Sequence, residues 1–454
     1  GHTHFGLWAL SRGRVHLGGT QTRAEAVRRI AGAVPEQGWI RGHGWDANRW
    51  EAPPDRWVID AVTAGPAFFE SVDVHAGWTN SAGLSAAGVD RNTADPPGGR
   101  IVRDAAGEPT GLLLERAIDL IRAVAPSPEP ERLCTAIREA QREAHRLGVT
   151  GIHDAEGPDA LRAFRSLEAS DELRLRVLFH PPVAQLPLLL RHGVRSGMGS
   201  SWLSLGGIKL FLDGSLGSRT AWMLEPYEDG LDRGMPVATE AEARRAARAA
   251  AEAGISSTVH AIGDAAVRRA LDLLEPLPAL DVPHRIEHFQ CVHPDDVLRA
   301  AAAGIVVSMQ PAHLPGDVAL AEERWGRRSR GAYAAKSLLL RGTVLAFGSD
   351  VPVVSMDPRP GVQAAMDRVA LDGSYAGGWY PEERLTLGET IRAFTLGNAI
   401  AAGIAGRRGR LAPGYDADLV AWEVDPAVEA GEGRAFAAGH ALLTVVGGEV
   451  VFST

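Results

Sequence analysis

The chain has 454 residues, enough for one large enzymatic domain and a small accessory. Asp and Glu (56) outnumber Lys and Arg (47), and the resulting formal charge of -9 has the wrong sign for a nucleic-acid-binding face. No apolar run reaches the ~18 residues a membrane span requires, and Cys134 and Cys291 cannot build a disulfide framework, so a reducing, cytoplasmic setting is expected.

In chain order, residues 1–5 read as a strand carrying His2 and His4. From about Arg23 to Ala125 a stretch too long for an unstructured loop follows. It holds Gly42-His43-Gly44-Trp45-Asp46 and Asp73-Val74-His75-Ala76-Gly77-Trp78-Thr79-Asn80-Ser81, and reads as a subdomain folded over one mouth of the main domain. Further short apolar strands are expected over 149–153, 173–179, 205–212, 256–260, 284–289, 305–309 and 344–348. Between them lie stretches such as 241–253 and 294–303, whose apolar positions recur every three or four residues as in amphipathic helices. Eight strands alternating with helices predict parallel pairing and an α/β (β/α)₈ TIM-like barrel over 1–410, with the insertion at about 23–125. Residues 411–454 change pattern, and Gly447-Gly448 between two short strands predicts a hairpin. These strands are read as part of a small accessory β-sandwich. Because the sequence opens at Gly1 without a methionine, the N-terminal part of that sandwich is expected to be missing, and a signal peptide cannot be judged.

His2 and His4 stand one residue apart on a strand, where alternate side chains share a face, so both imidazoles can chelate one ion. Alone, such a pair is equally a chance cluster or a tag. The reading strengthens at the C-terminal ends of later strands. His260 ends Thr258-Val259-His260, His288 lies in Arg285-Ile286-Glu287-His288-Phe289-Gln290, and Asp350 follows Ala346-Phe347-Gly348-Ser349. In a parallel barrel these ends converge on one rim, where active sites are built. Any one of them could be a satisfied polar residue or a helix cap; all together require independent coincidences.

Lys209 sits inside the apolar run Ile208-Lys209-Leu210-Phe211-Leu212. Burial disfavours its charged form and lowers its pKa, and a neutral amine reacts with carbon dioxide to give an anionic, two-toothed carbamate. The plainer reading is a lysine that snorkels to the barrel mouth or pairs with Asp213.

The order H-x-H, Lys, His, His, Asp resembles the amidohydrolase superfamily. The strings around Lys209, His260, His288 and Asp350 resemble the branch that includes N-substituted formamide deformylases and YtcJ-like proteins. The likeness spans nearly the whole chain, including the Gly-Trp-Asp and Asn-Ser motifs of the insertion and the C-terminal Pro-Gly-x-x-Ala-Asp-Leu run. It implies that His2, His4 and Asp350 hold one divalent metal, that His260 and His288 hold a second, and that carboxylated Lys209 bridges them. Relatives usually place an Asp two positions before the first His, after strands of a small sandwich, and this chain starts too late to show either.

The implied activity is hydrolysis of a C–N bond of amide type with one or two divalent ions, zinc first. A bound cation lowers the pKa of water towards ~7. Asp350 would shuttle the proton to the leaving nitrogen, with Lys209 and His288 beside it in the catalytic set. Substrate contacts are expected from Ser215 and Arg219 in the Gly-rich loop after the Lys209 strand, from His75 and Trp45 of the insertion, and from His313; Trp78 would join Trp45 in an apolar lid. Each has a plainer reading as turn, structural histidine, packing tryptophan or surface loop. Two rivals stand: lactone or phosphoester hydrolysis on the same metals, and a non-catalytic scaffold or ligand-binding relative. Deamination fits less well, because deaminating relatives commonly use one metal and lack the lysine. The expected partner is a small-molecule substrate, with no nucleic acid and no membrane; a homodimer is left open.

Overall fold

The computed structural model describes residues 1–423 and 433–454. Two parallel sheets lie at its centre. One comprises His2–Thr3, Gly151–Asp154, Arg176–Phe179 and Leu203–Leu205; the other comprises Ile208–Phe211, Ser257–Ala261, Arg285–His288, Val306–Met309 and Leu345–Phe347. Backbone hydrogen bonds link them at both ends. The Gly206 N–H donates to Phe179 O (2.7 Å) and the Lys209 N–H to Pro181 O (2.8 Å), while the Asp350 N–H donates to His2 O and the His4 N–H to Val351 O (both 2.9 Å). The arrangement is TIM-barrel-like.

Three expected elements differ in detail. The first strand is only two residues long, because Phe5–Ser11 winds into a helix whose first N–H donates to Asp154 Oδ1 (2.6 Å). The strand over 205–212 is interrupted at Gly206 and Gly207, where a Cβ would collide with the His180 ring or the Ser256 backbone. The helix over 294–303 is two short turns, Pro294–Asp296 and Arg299–Ala302.

Strand side chains alternate between faces. Ile208, Leu210, Val259, Ala261, Ile286 and Val307 join one apolar cluster, together with Ala243, Ala247 and Ala250 of the helix Glu240–Glu252. Those alanines follow a four-then-three spacing, and the helix starts with a reciprocal Thr239–Glu242 cap. The intervening strand positions are polar and equally buried: Lys209, Thr258, His260, Arg285, Glu287 and Ser308. They face residues of the other sheet. Arg285 Nη1 donates to His153 Nδ1 (2.7 Å), and Lys209 Nζ lies 3.5 Å from His2 Nε2. The inner face is thus a charged network rather than an aliphatic one.

Between the first two central strands lies a six-stranded mixed sheet in the order Val15–His16, Ile40–Trp45, Ala67–Ser71, Ala76–Thr79, Pro109–Glu115, Gly99–Arg103. It begins at Val15, ahead of the expected Arg23, and its own core is tryptophan-rich: Trp45, Trp50 and Trp78 pack on Phe69. At the C-terminal end Leu419–Trp422, Ala441–Val446 and Glu449–Ser453 form an antiparallel sheet. Gly447 and Gly448 both take positive φ (60° and 85°), which a two-residue hairpin turn requires. Arg176 grips Asp418 with two hydrogen bonds (2.6 and 2.9 Å), tying this sheet to the central one. Residues 424–432 of the expected 411–454 segment lie outside the described residues. Among the described residues no helix is long and apolar enough to cross a membrane.

Candidate metal centre and substrate cavity

The donor side chains named from the sequence meet at one end of the parallel strands. Asp350 Oδ1 lies 3.2 Å from His2 Nε2 and 3.3 Å from His4 Nε2, and one donor atom from each of the three falls within 4.8 Å of the other two. The imidazoles then run on in a chain: His2 to His4 (ring centroids 5.0 Å), His2 to His288 (5.7 Å) and His288 to His260 (4.5 Å). Lys209 closes the group beside His2, with its Nζ 4.9 Å above the Phe211 ring. It does not pair with Asp213, whose carboxylate accepts the backbone N–H groups of Trp222, Ile262 and Gly263.

Two residues that hold this cluster sit in unusual backbone conformations. His288 has φ 70° and Asp350 φ 58°, a left-handed region that side chains rarely adopt and that is found where function fixes an orientation. Neighbouring carbonyls orient the rings. His4 Nδ1 lies 2.8 Å from Ala155 O and His260 Nε2 lies 3.0 Å from Gly214 O; a carbonyl only accepts, so those nitrogens carry the hydrogens and the opposite nitrogens are left as lone-pair donors.

The electrostatics match. Burial and the nearby lysine lower His2 to about 4, and burial together with neighbouring cationic groups holds His260 well below its ordinary value. Burial does the same for His288. Burial alone would raise the Asp350 carboxyl, but His2 first, with His288 adding to its effect, outweighs burial and holds the group well below the usual carboxylate range. Burial lowers Lys209 to about 8, with Glu287 and Asp350 opposing. Unprotonated imidazoles and an ionised carboxylate, packed together and buried, are the form in which these groups bind a cation. The donor set therefore fits a divalent metal.

A cavity of about 780 Å³ opens over the cluster, with His288 and Asp350 in its wall. Of the expected substrate contacts, His75, Trp45, Ser215, Arg219 and His313 all line it. They are not equally available. His75 comes from the insertion and stands 5.0 Å from the His260 ring. Ser215 donates to Asp73 Oδ2 (2.5 Å), and the Arg219 guanidinium is paired with Asp229. His313 Nε2 meets Ser349 O at 3.2 Å. Trp45 is only 3% exposed, its indole donating to Phe69 O (2.9 Å). Trp78, expected beside it in a lid, is fully buried and belongs to the insertion's core, because its indole donates to Asp55 O within that subdomain.

The residues that support His75 were not singled out from the sequence. His75 Nδ1 lies 2.9 Å from Glu115 Oε2, whose other oxygen accepts from Thr220. Val74 (φ 64°) and Glu115 (φ 51°) both have positive φ, so the local backbone is held away from its preferred regions on either side of the pair. Burial works against charging His75, yet Glu115 and Asp73 outweigh it and raise its pKa to about 9. A histidine with a raised folded-state pKa stabilises the protein fully below its unfolded value of 6.5 and loses that contribution as pH rises through about 9. In protein stripped of metal with a chelator, Glu115→Gln should therefore destabilise by about 2 kcal/mol at pH 6, with the difference from wild type fading by pH 10. Denaturant titrations across that range check the sign.

The comparisons with known proteins agree with this geometry. A model described as "Amidohydrolase family" matches residues 1–452. The chain belongs to the amidohydrolase family. It is 32% identical over 423 residues to a putative amidohydrolase, YtcJ, of Bacillus subtilis (strain 168), covering 88% of this chain and 78% of that protein. It is 26% identical over 435 residues to the N-substituted formamide deformylase of Arthrobacter pascens, covering 88% and 77%. Among solved structures, an uncharacterized metal-dependent hydrolase from Pyrococcus horikoshii OT3 superposes with a TM-score of 0.75 at 28% identity, covering 92% of this chain and 83% of that one. Family and donor chemistry together are those of a metal-dependent hydrolase.

Proposed function

We propose that the protein hydrolyses a C–N bond of amide type at a metal centre that His2, His4, Asp350, His260 and His288 would hold, with Lys209 as its carbamate, formed with carbon dioxide, joining them as a further anionic ligand. The observation that carries this reading is the convergence of four imidazoles, a carboxylate and a lysine in one cluster, with His288 and Asp350 in the wall of a cavity. The central strands are read as a closed (β/α)₈ barrel covering 1–410, and the C-terminal sheet as part of an accessory sandwich. Imidazoles and carboxylate favour zinc. A divalent cation bound there supplies a polarised substrate carbonyl and an acidified water.

The chain's own groups do the rest. Asp350, kept ionised by its imidazole neighbours, accepts the proton released as water attacks and returns it to the departing nitrogen. His75, held by Glu115, donates towards the oxygen of the reacting group. Apolar cavity residues such as Leu320, Val353 and Leu371 exclude water from the N-substituent. The name of the Arthrobacter relative directs the first assays to N-substituted formamides.

Purified protein should contain one or two equivalents of divalent metal, and chelation should abolish hydrolysis of N-acyl and N-formyl amines, with recovery on adding zinc. Lactones and phosphotriesters belong in the same panel. Turnover of those alone would replace the C–N reading, and a metal content near zero with no turnover would leave a scaffold.

A further inference from the structure

One wall of the cavity is the first turn of the helix Leu314–Trp325, backed by the segment around Leu371, whose N–H donates to Pro315 O (2.9 Å). The charged groups around the cavity are mostly engaged. Arg49 pairs with Asp46 and Arg219 with Asp229, while Arg324 donates to the carbonyls of Leu216 and Gly217 and to the Asn48 amide oxygen. Asp73 takes the hydroxyls of Ser71, Ser215 and Ser218.

Asp317 is different. Gln290 Nε2 (2.8 Å) and Tyr333 Oη (2.6 Å) both donate to the same oxygen, Oδ2. Among the described residues no donor meets Oδ1, and the residue lines the cavity. Two donors on one oxygen fix the carboxylate plane and leave the second oxygen for something that enters. Burial raises the Asp317 carboxyl above its ordinary range, with His313 acting against the rise. His313, which lines the same cavity, is itself 6.4 Å from His288 between ring centroids.

We infer that Asp317 Oδ1 receives an N–H, preferentially an ammonium, on the amine-derived arm of the substrate, and that it selects amides whose N-substituent ends in a cation. A charged donor suits the site best, because a half-buried carboxylate with one bare oxygen gains most from an ionised partner. Pro315 and Leu320 on the same helix, with Leu371, supply apolar surface for the methylenes of such an arm. The substrate part of this assignment rests on the C–N hydrolase reading; the ammonium subsite is testable without it.

The probes are N-(5-aminopentyl)formamide and its uncharged isostere N-hexylformamide. Affinities are measured by calorimetry on chelator-stripped wild-type protein and on Asp317→Asn, whose amide oxygen still accepts from Gln290 and Tyr333. The expected result is that the affinity ratio, aminopentyl over hexyl, falls by about 10-fold or more in Asp317→Asn. The hexyl affinity and the melting midpoint should stay unchanged, which separates loss of the subsite from loss of the fold. A ratio unaffected by the substitution, or no binding of the ammonium probe to wild type, overturns the assignment. Turnover by metal-loaded protein tests the other half: binding preference without hydrolysis of either probe overturns the C–N reading and keeps Asp317, whereas hydrolysis of both with no preference does the reverse.

Discussion

Asp350→Asn should lower kcat/KM by about 10³-fold or more, the range in which a positioned proton-transfer group acts. The substitution keeps the volume of the side chain, so the fold has no steric reason to change. What it removes is charge. Asp350 Oδ1 is the atom that both His2 Nε2 (3.2 Å) and His4 Nε2 (3.3 Å) face, and the three side chains form the tightest donor group of the cluster. An amide oxygen is a weaker ligand for a hard or borderline cation and cannot accept a proton near neutral pH. The variant is therefore expected to lose metal as well as rate. Metal analysis alongside kinetics separates the two roles, since full metal content with a 10³-fold lower kcat isolates the proton shuttle. Near-wild-type kcat/KM with full occupancy would remove Asp350 from the mechanism altogether.

The convergence of the candidate donors was legible in the sequence, from the strand ends and from the family resemblance together. His2 and His4 still meet, although the strand stops at Thr3 and His4 caps the helix that follows, and His260, His288 and Asp350 stand at or just past strand ends that a parallel arrangement gathers on one rim. What was not legible is what lies under and around them. Arg285 and Glu287 sit two residues apart beside His288 and drew no functional reading from the sequence, yet both are buried on the inner face, where they pair with each other and Arg285 reaches His153 of the opposite sheet. Asp73 and Glu115 belong to the insertion, separated from the Lys209 strand by about a hundred residues or more, so no local pattern links them to Ser215 or Thr220. Trp78 shows the opposite failure. A tryptophan near a motif suggests a lid, but a two-sided sheet covered on both faces needs large apolar side chains, and Trp78 fills that need.

Arg285→Met should be the most destabilising change in the inner network, by about 3–5 kcal/mol. The Arg285 and Glu287 side chains are 1% and 0% exposed, with Arg285 Nε 2.6 Å from Glu287 Oε1. Burial raises the cost of the Glu287 charge, but Arg285 outweighs it, with His2 and Lys209 assisting, and holds the carboxyl well below its ordinary range. Methionine fills much of the arginine's volume and leaves Glu287 ionised with weaker partners, while His153 Nδ1 loses the donor that Arg285 Nη1 provided at 2.7 Å. Removing both charges, Arg285→Met with Glu287→Met, should recover part of the loss, because no uncompensated ion is then buried. The double variant should nonetheless bind metal poorly, because Glu287, whose Oε2 stands 3.7 Å from His2 Nδ1, is the acidic group nearest the back of that ring and its charge is lost. Equilibrium denaturation of the two variants with metal removed measures the stability terms, and metal titration of the double variant measures the support. A double variant less stable than Arg285→Met alone would mean that the pair contributes packing and hydrogen bonds beyond mutual charge compensation, and the account of the inner face as a charge-balanced network would fall.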